Sequence, residues 1–187
     1  VNQTLEASVF PIEGVVFFPS LTLPLNIFEP RYILMVNDCI DSGRPLAVTD
    51  LDPVAGAIVG MGSVQLFEKR ADGTMVILVR GTHRGRITRV LQEKPYFRAE
   101  LEPLEESSLV DPSHRFFLQR LRSGMEEWAG QTLPDAASRQ AFLSGLDDLR
   151  HLVETYAHFK ILDADIRQEL LEAASLDSRV ELLRRVI

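Results

Sequence analysis

The sequence predicts an α+β chain, with a small β-barrel first and a helical bundle second. Up to about residue 104 the apolar residues fall in short runs of strand length divided by turn signals. From about residue 112 they recur at helical spacing instead. Between the two, Pro-Leu-Glu-Glu-Ser-Ser-Leu-Val-Asp-Pro-Ser at 103–113 follows neither period and reads as a linker. The expected division is a barrel subdomain at 1–104, a linker at 105–111 and a bundle subdomain at 112–187.

The strands follow in order. Leu5 to Ile12 and Leu21 to Leu25 are short β-prone runs, separated by the turn Phe17-Phe18-Pro19-Ser20. Ala57 to Lys69 is a longer run in which Gly60 and Gly62 are spaced as a bulge or bend requires. Asp72-Gly73 then marks a hairpin, because a tight return needs residues that tolerate positive φ. Met75 to Arg80 is its return strand; Arg84 to Gln92 and Tyr96 to Leu104 are two more. In the last run Phe97, Ala99 and Leu101 alternate with Arg98, Glu100 and Glu102, which gives one face to the core. About six short strands favour a closed or nearly closed barrel, which removes exposed edges.

One helix interrupts the strands. Pro30 suits a first helical turn, Tyr32, Ile33, Val36, Cys39 and Ile40 form an apolar stripe, and Gly43 is a stop. Such a helix could plug one barrel end. In the second half, Asp111-Pro112 opens a helix with Phe117, Leu121, Met125 and Trp128 on one face. A short helix is expected between Pro134 and Gly145. Leu149, Leu152, Val153 and Tyr156 line another, and Ile166, Leu170 and Leu171 a third that starts near Asp163 or Asp165. Ser178 and Glu181 have capping-box spacing for a last helix bearing Val180, Leu183 and Ile187.

Composition narrows the function. With 187 residues and 45% hydrophobic content, the chain can bury a core without staples. A single cysteine, Cys39, cannot form an intramolecular disulfide or a cysteine cluster for zinc, so a reducing, cytoplasmic setting is expected. No run of about 18 apolar residues is present to span a bilayer, and no signal peptide is visible at the start. The net charge of −7 argues against a general polyanion binder. The charge is uneven, however: residues 68–98 hold eight basic groups against three acidic ones.

Few patterns carry chemistry. No Gly-Lys pair exists for a phosphate loop, and Gly56-x-x-x-Gly60-x-Gly62 lacks dinucleotide spacing. Ser123 and Ser144 precede glycines near helix ends, without a nucleophile elbow. His151, Glu154 and His158 share a helical face, but that face lies opposite the Leu152–Val153–Tyr156 stripe and reads as solvated. Cys39 reads as a buried thiol. No catalytic residue, metal or cofactor is expected. The basic strip supplies the main rival reading: Arg84, Arg86 and Arg89 on one strand could bind nucleic acid, with Tyr96 and Phe97 as stacking groups.

Several segments resemble a known family. Val16-Phe17-Phe18-Pro19 followed by Pro24-Leu25 is similar to the opening of the Lon protease N-terminal domain, and Leu25-Asn26-Ile27-Phe28-Glu29-Pro30-Arg31-Tyr32 looks like its stand-alone members and the cereblon branch. Ile58 to Val64, Asp72-Gly73-Thr74, Gly81 to Ile87 and the tail Arg167 to Arg179 resemble later family elements in collinear order. The resemblance implies a PUA-like pseudo-β-barrel with one inserted helix, then a helical bundle. It also implies a bacterial-type substrate-recognition module that binds polypeptide or a partner protein, as an accessory to proteolysis or protein quality control. The ATPase and peptidase modules of the full protease have no counterpart up to Ile187, so no enzymatic activity is expected.

The expected binding residues are Phe18, Pro19, Leu21, Phe28, Glu29, Arg31 and Tyr32. Bulky groups at the tight 17–21 turn must either enter the core or stay partly exposed as anchors. Glu29 suits a helix N-terminus and could pair with Arg31 or Arg84. The competing reading makes Phe28 and Tyr32 core and Glu29–Arg31 a brace. A groove between barrel and bundle is the expected place for a polypeptide. Oligomeric state is not legible.

Overall fold

A computed structural model describes residues 4–187. The chain divides into two compact units, one running to Glu105 and the other spanning Glu106–Ile187. The first contains six strands in one mixed sheet and a single helix: β1 (Leu5–Pro11), β2 (Thr22–Ile27), α1 (Pro30–Ser42), β3 (Leu46–Thr49), β4 (Ile58–Lys69), β5 (Met75–Gln92) and β6 (Phe97–Pro103). The order is β2-β5-β4-β3-β1-β6, and β6 pairs again with β5. That second pairing closes a ring of β5, β4, β3, β1 and β6, while β2 hangs from β5 alone. The β1–β3 pair is parallel and the others antiparallel. A parallel neighbour needs a crossover, and the chain through β2 and α1 supplies it.

Two strand expectations change. The four-residue strand β3 follows Pro45 and is absent from the sequence reading, because so short an apolar run has no period to detect. The two strands expected at 75–80 and 84–92 are one strand of 18 residues. Gly81 does not end it. A Cβ at Gly81 would lie 2.4 Å from the Pro19 carbonyl oxygen, so this glycine marks a close backbone approach. The first part of β5 serves β2, from Thr22↔Arg80 to Ile27↔Met75. Its second part serves β6, from Gly85↔Pro103 to Gln92↔Arg98. One bent strand thus joins the ring to its appendage.

The unit has two apolar clusters. Ala7, Val9, Ala47, Val59, Met61, Ile87, Ala99 and Leu101 fill the ring. The Ala7↔Ala99 pair puts two small, fully buried side chains opposite each other on β1 and β6. The second cluster joins Tyr32, Met35, Val36 and Cys39 of α1 to Ile27, Leu46, Val48, Met75, Ile77 and Val79. The helix lies against β1 and β4, shares this cluster with residues of β2, β3 and β5, and contributes no residue to the ring cluster, unlike a plug. Of its expected stripe Tyr32, Val36 and Cys39 are buried, while the face rotates to bury Met35 and leave Ile40 exposed. Gly43 ends it in the left-handed region at φ 69°.

The second unit begins with a 3-10 turn (Pro112–His114) and continues as α2 (Arg115–Thr132), α3 (Ala136–Gly145), α4 (Leu149–Lys160), α5 (Ala164–Glu172) and α6 (Leu176–Val186). Asp135, Asp148, Asp163 and Ser175 cap α3 to α6 by accepting backbone N–H groups, and Asp111 caps the 3-10 turn the same way. The cap of α6 is thus Ser175, three residues before the expected Ser178, which instead donates its own N–H to Ser175. Leu121, Met125, Leu152, Val153, Ala157, Leu170, Leu171, Leu176, Val180 and Leu183 are buried. Residues 104–111 form no regular element, yet the Ser107 carbonyl accepts from Leu176 N–H.

One sequence expectation fails here. Glu154 is fully buried, not solvated. Arg179, also fully buried, donates to Glu154 Oε1 at 2.8 Å and to the Leu170 carbonyl at 2.7 Å, and pairs with Glu106 at 3.3 Å. A cation from α6 makes an acidic side chain tolerable in the interior of α4, which no periodicity of α4 alone could reveal. Among the described residues no helix is long and apolar enough to cross a membrane.

Candidate functional site

The 17–21 turn takes the first of its two options. Phe17, Phe18 and Pro19 are buried, Phe18 completely, and Leu21 is half-buried. The glycines facing this turn explain how. A Cβ on Gly60 would lie 1.8 Å from the Phe17 carbonyl oxygen, so β4 accepts the turn only because that position has no side chain. Gly60 and Gly62 are strand glycines at close approaches, not a phosphate loop.

Phe28 behaves oppositely. It follows β2 directly and is 68% exposed. Beside it, Arg31 pairs with Glu29 at 2.9 Å, and both are largely open to solvent. The Arg31 guanidinium also sits 4.6 Å over the Tyr32 ring, and Tyr32 packs against Phe10 with ring centroids 4.2 Å apart. Burial raises the Tyr32 hydroxyl pKa, an effect Arg31 offsets in part. Tyr32 is therefore the core anchor of a brace made by Glu29 and Arg31, and Phe28 is the projecting member of the group.

The strand register brings further apolar groups to this end of the sheet. Ile27 pairs with Met75, which pairs with Lys69, so the end of β2, the start of β5 and the end of β4 lie side by side. Just before Lys69, Leu66 is 48% and Phe67 71% exposed. The register shifts between Leu66 and Glu68, which makes Phe67 the extra residue of a bulge. Sequence reasoning placed both residues in a strand and missed their exposure. The adjacent pair Leu66-Phe67 was the signal, since two consecutive apolar residues cannot both face one side of a strand. Glu68 and Arg70 pair at 3.7 Å on the far side of the bulge. At this end of the sheet the segment after β2 thus exposes Phe28 beside the Glu29–Arg31 pair, and the end of β4 exposes Leu66 and Phe67 beside the Glu68–Arg70 pair. On the free edge of β2, Pro24 removes one donor, which blunts unwanted strand pairing.

The basic strip is dispersed. Arg84 is only 4% exposed, whereas Arg86 and Arg89 are open. A register shift between Ile87 and Arg89 separates the last two. Arg86 stands opposite Glu102, and Arg89 lies 3.5 Å from Glu100. Of the expected stacking groups, Tyr96 is buried and donates to Asp38 at 2.5 Å, and Phe97 packs against the ring cluster.

Nucleophiles and metal ligands are placed as follows. Cys39 is buried, and loss of solvation raises its thiol pKa, which keeps it protonated. Ser144 Oγ donates to the Ala141 carbonyl within its own helix. The trio His151, Glu154 and His158 holds no metal geometry, because Glu154 is committed to Arg179. Metal-ligating atoms converge elsewhere: one each from His114, Asp177 and Glu181 lie within 4.8 Å of one another.

Comparison with known proteins gives a consistent answer. Residues 6–187 match the family model described as the ATP-dependent protease La (LON) substrate-binding domain. The chain is 26% identical to Lon protease 3 of Sorangium cellulosum over 94% of its length, and 24% identical to Lon protease of Escherichia coli strain K12 over 97%. It spans 22% and 24% of those two proteins. In fold it is similar to a Lon N-terminal domain protein from Xanthomonas campestris, with TM-score 0.72, 24% identity, and coverage of 96% of this chain and 97% of that one. The N-terminal domain of a Mycobacterium avium complex Lon protease gives TM-score 0.70 at 14% identity, covering 96% of each chain.

Proposed function

The chain belongs to the ATP-dependent protease La (LON) substrate-binding domain family, and from that premise we propose that it is a non-catalytic module that holds unfolded polypeptide through the Phe28–Phe67 end of its sheet. The match covers the substrate-binding domain and neither an ATPase nor a peptidase module. The ring of five strands with α1 packed beside it is read as the family's PUA-like pseudo-barrel, and the helical unit as its bundle. A cytoplasmic setting, in partnership with a proteolytic system, suits a chain whose one thiol is buried.

The observation that carries the proposal is the exposure of two phenylalanines at one end of the sheet, Phe28 after β2 and Phe67 on β4. Burying such a side chain is worth about 1.5–3 kcal/mol, so leaving two in water forgoes stability that a partner's side chains can recover. The flanking pairs Glu29–Arg31 and Glu68–Arg70 supply the polar rim that lets apolar anchors stay soluble. Recognition by aromatic anchors is tolerant of sequence, as a module for diverse unfolded chains requires. Of the expected residues, Phe28, Glu29 and Arg31 are offered to solvent, Tyr32 lies beneath Arg31, and Phe18 and Pro19 are buried.

An RNA-binding reading has less support. The strip lacks a continuous positive face, because Glu100 and Glu102 alternate with Arg89 and Arg86. The decisive measurement is fluorescence anisotropy with a labelled, reduced and alkylated model protein and, separately, a labelled single-stranded RNA. Saturable polypeptide binding that weakens about tenfold or more in Phe28→Asp/Phe67→Asp, with unchanged melting temperature, is expected. Undiminished binding in that variant would sink the assignment of this surface. RNA binding that falls steeply with salt and depends on Arg86 would replace it.

A further inference from the structure

We propose that His114, Asp177 and Glu181 form a binding site for a divalent transition-metal ion of the Zn2+ class, which would fasten the 3-10 turn before α2 to the first turns of α6. The residues are 63 and 67 positions apart in sequence (177 − 114 and 181 − 114), so only the folded helical unit brings them together. Asp177 and Glu181 are four residues apart on α6 and therefore share its face. His114 closes the 3-10 turn opposite them and is only 3% exposed.

The geometry suits an ion better than a direct contact. His114 Nε2 faces Asp177 Oδ1 at 3.5 Å, too long for a charge-assisted hydrogen bond, which spans about 2.7–2.9 Å. Two ligands at about 2.0–2.2 Å from a tetrahedral metal lie roughly 3.4 Å apart. Asp177 Oδ1 is already held, because it accepts the Asp111 backbone N–H at 2.8 Å. Such outer support is what orients metal carboxylates. Glu181 is exposed and has the rotamer freedom to complete the set. Glu181 also borders a cavity of about 460 Å3 together with Arg184 and Arg185.

The ligand set selects the ion class. One imidazole and two carboxylates suit Zn2+ or Mn2+, whereas Mg2+ prefers oxygen alone. The two carboxylates offset the ion's charge. Arg184 opposes the site: its Nη1 lies 3.4 Å from His114 Nδ1. With metal on Nε2 the ring proton sits on Nδ1, and Arg184, exposed on the last turn of α6, must turn away.

The opposition by Arg184 gives the test a signature that adventitious carboxylate binding would not share. Isothermal titration of the full chain with ZnCl2, with MgCl2 as control, should show one saturable Zn2+ site and a higher melting temperature with Zn2+. Glu181→Gln, at an exposed position where folding is unaffected, should weaken it at least about tenfold, and His114→Gln should do likewise. Arg184→Met should tighten it. Co2+ should report the same site by visible ligand-field absorption that is lost in Glu181→Gln. The absence of saturable Zn2+ binding overturns the proposal. So does Zn2+ binding that is indifferent to both Glu181→Gln and His114→Gln, as binding at His83 or His151 would be.

Discussion

Arg179 has no solvent to shield its charge, and its guanidinium is divided among Glu154, Glu106 and the Leu170 carbonyl. Removing it strands Glu154 in the interior. Arg179→Ala should therefore cost about 3–5 kcal/mol in urea unfolding, whereas Arg179→Met with Glu154→Leu should recover most of that loss. A cost under about 1 kcal/mol would show that water reaches Glu154. His158 carries a pH effect. Burial lowers its pKa below the ordinary 6.5, and the positive charge of Arg167 adds to this. The unfolded chain then binds the proton more readily than the folded one. The stabilisation is full above the unfolded value and is lost as pH falls from about 6.5 through the lowered folded pKa. Stability should decline over that interval, and His158→Gln should flatten the slope; an unchanged slope would assign it to other groups. Residue identity alone disclosed neither effect. The sequence marks Glu154 and His158 as polar, but their burial depends on which helices cover α4.

At the level of the element, glycines decide how strands approach one another. Gly60 lies on β4 where the 17–21 turn crosses it, and a methyl group there meets a backbone carbonyl that has little freedom to move. Gly60→Ala should destabilise the chain by about 3 kcal/mol, measured by chemical denaturation. Gly130→Ala, on α2 with open space around its Cβ, should be neutral or stabilise by up to about 1 kcal/mol. Equal effects would remove the close-approach explanation. Much of the element pattern is legible in the sequence. The α1 boundaries follow from Pro30 and Gly43, the hairpin from Asp72-Gly73, and the start of α5 from Asp163. The errors fall where a local signal has two meanings. Gly81 reads as a break but is a bend, and Leu46–Thr49 is too short to declare itself a strand.

Over the whole chain, Glu106–Ile187 is compact and encloses its own buried ion network. A fragment of residues 106–187 should therefore remain helical and melt cooperatively, as far-UV circular dichroism would record; a featureless melt would show that this unit lacks a self-sufficient core. By itself the sequence determined the change from strand to helix near residue 105, the helix starts at Asp111-Pro112 and near Asp163, and the family. These follow from local periodicity and turn chemistry, which act over a few residues. Tertiary structure alone decided that Phe18 lies inside while Phe28 projects, that Phe67 emerges on a bulge, that Arg84 is buried, and that His114 meets α6. Each of these depends on pairing between distant segments, and no period along the chain encodes which distant segment arrives.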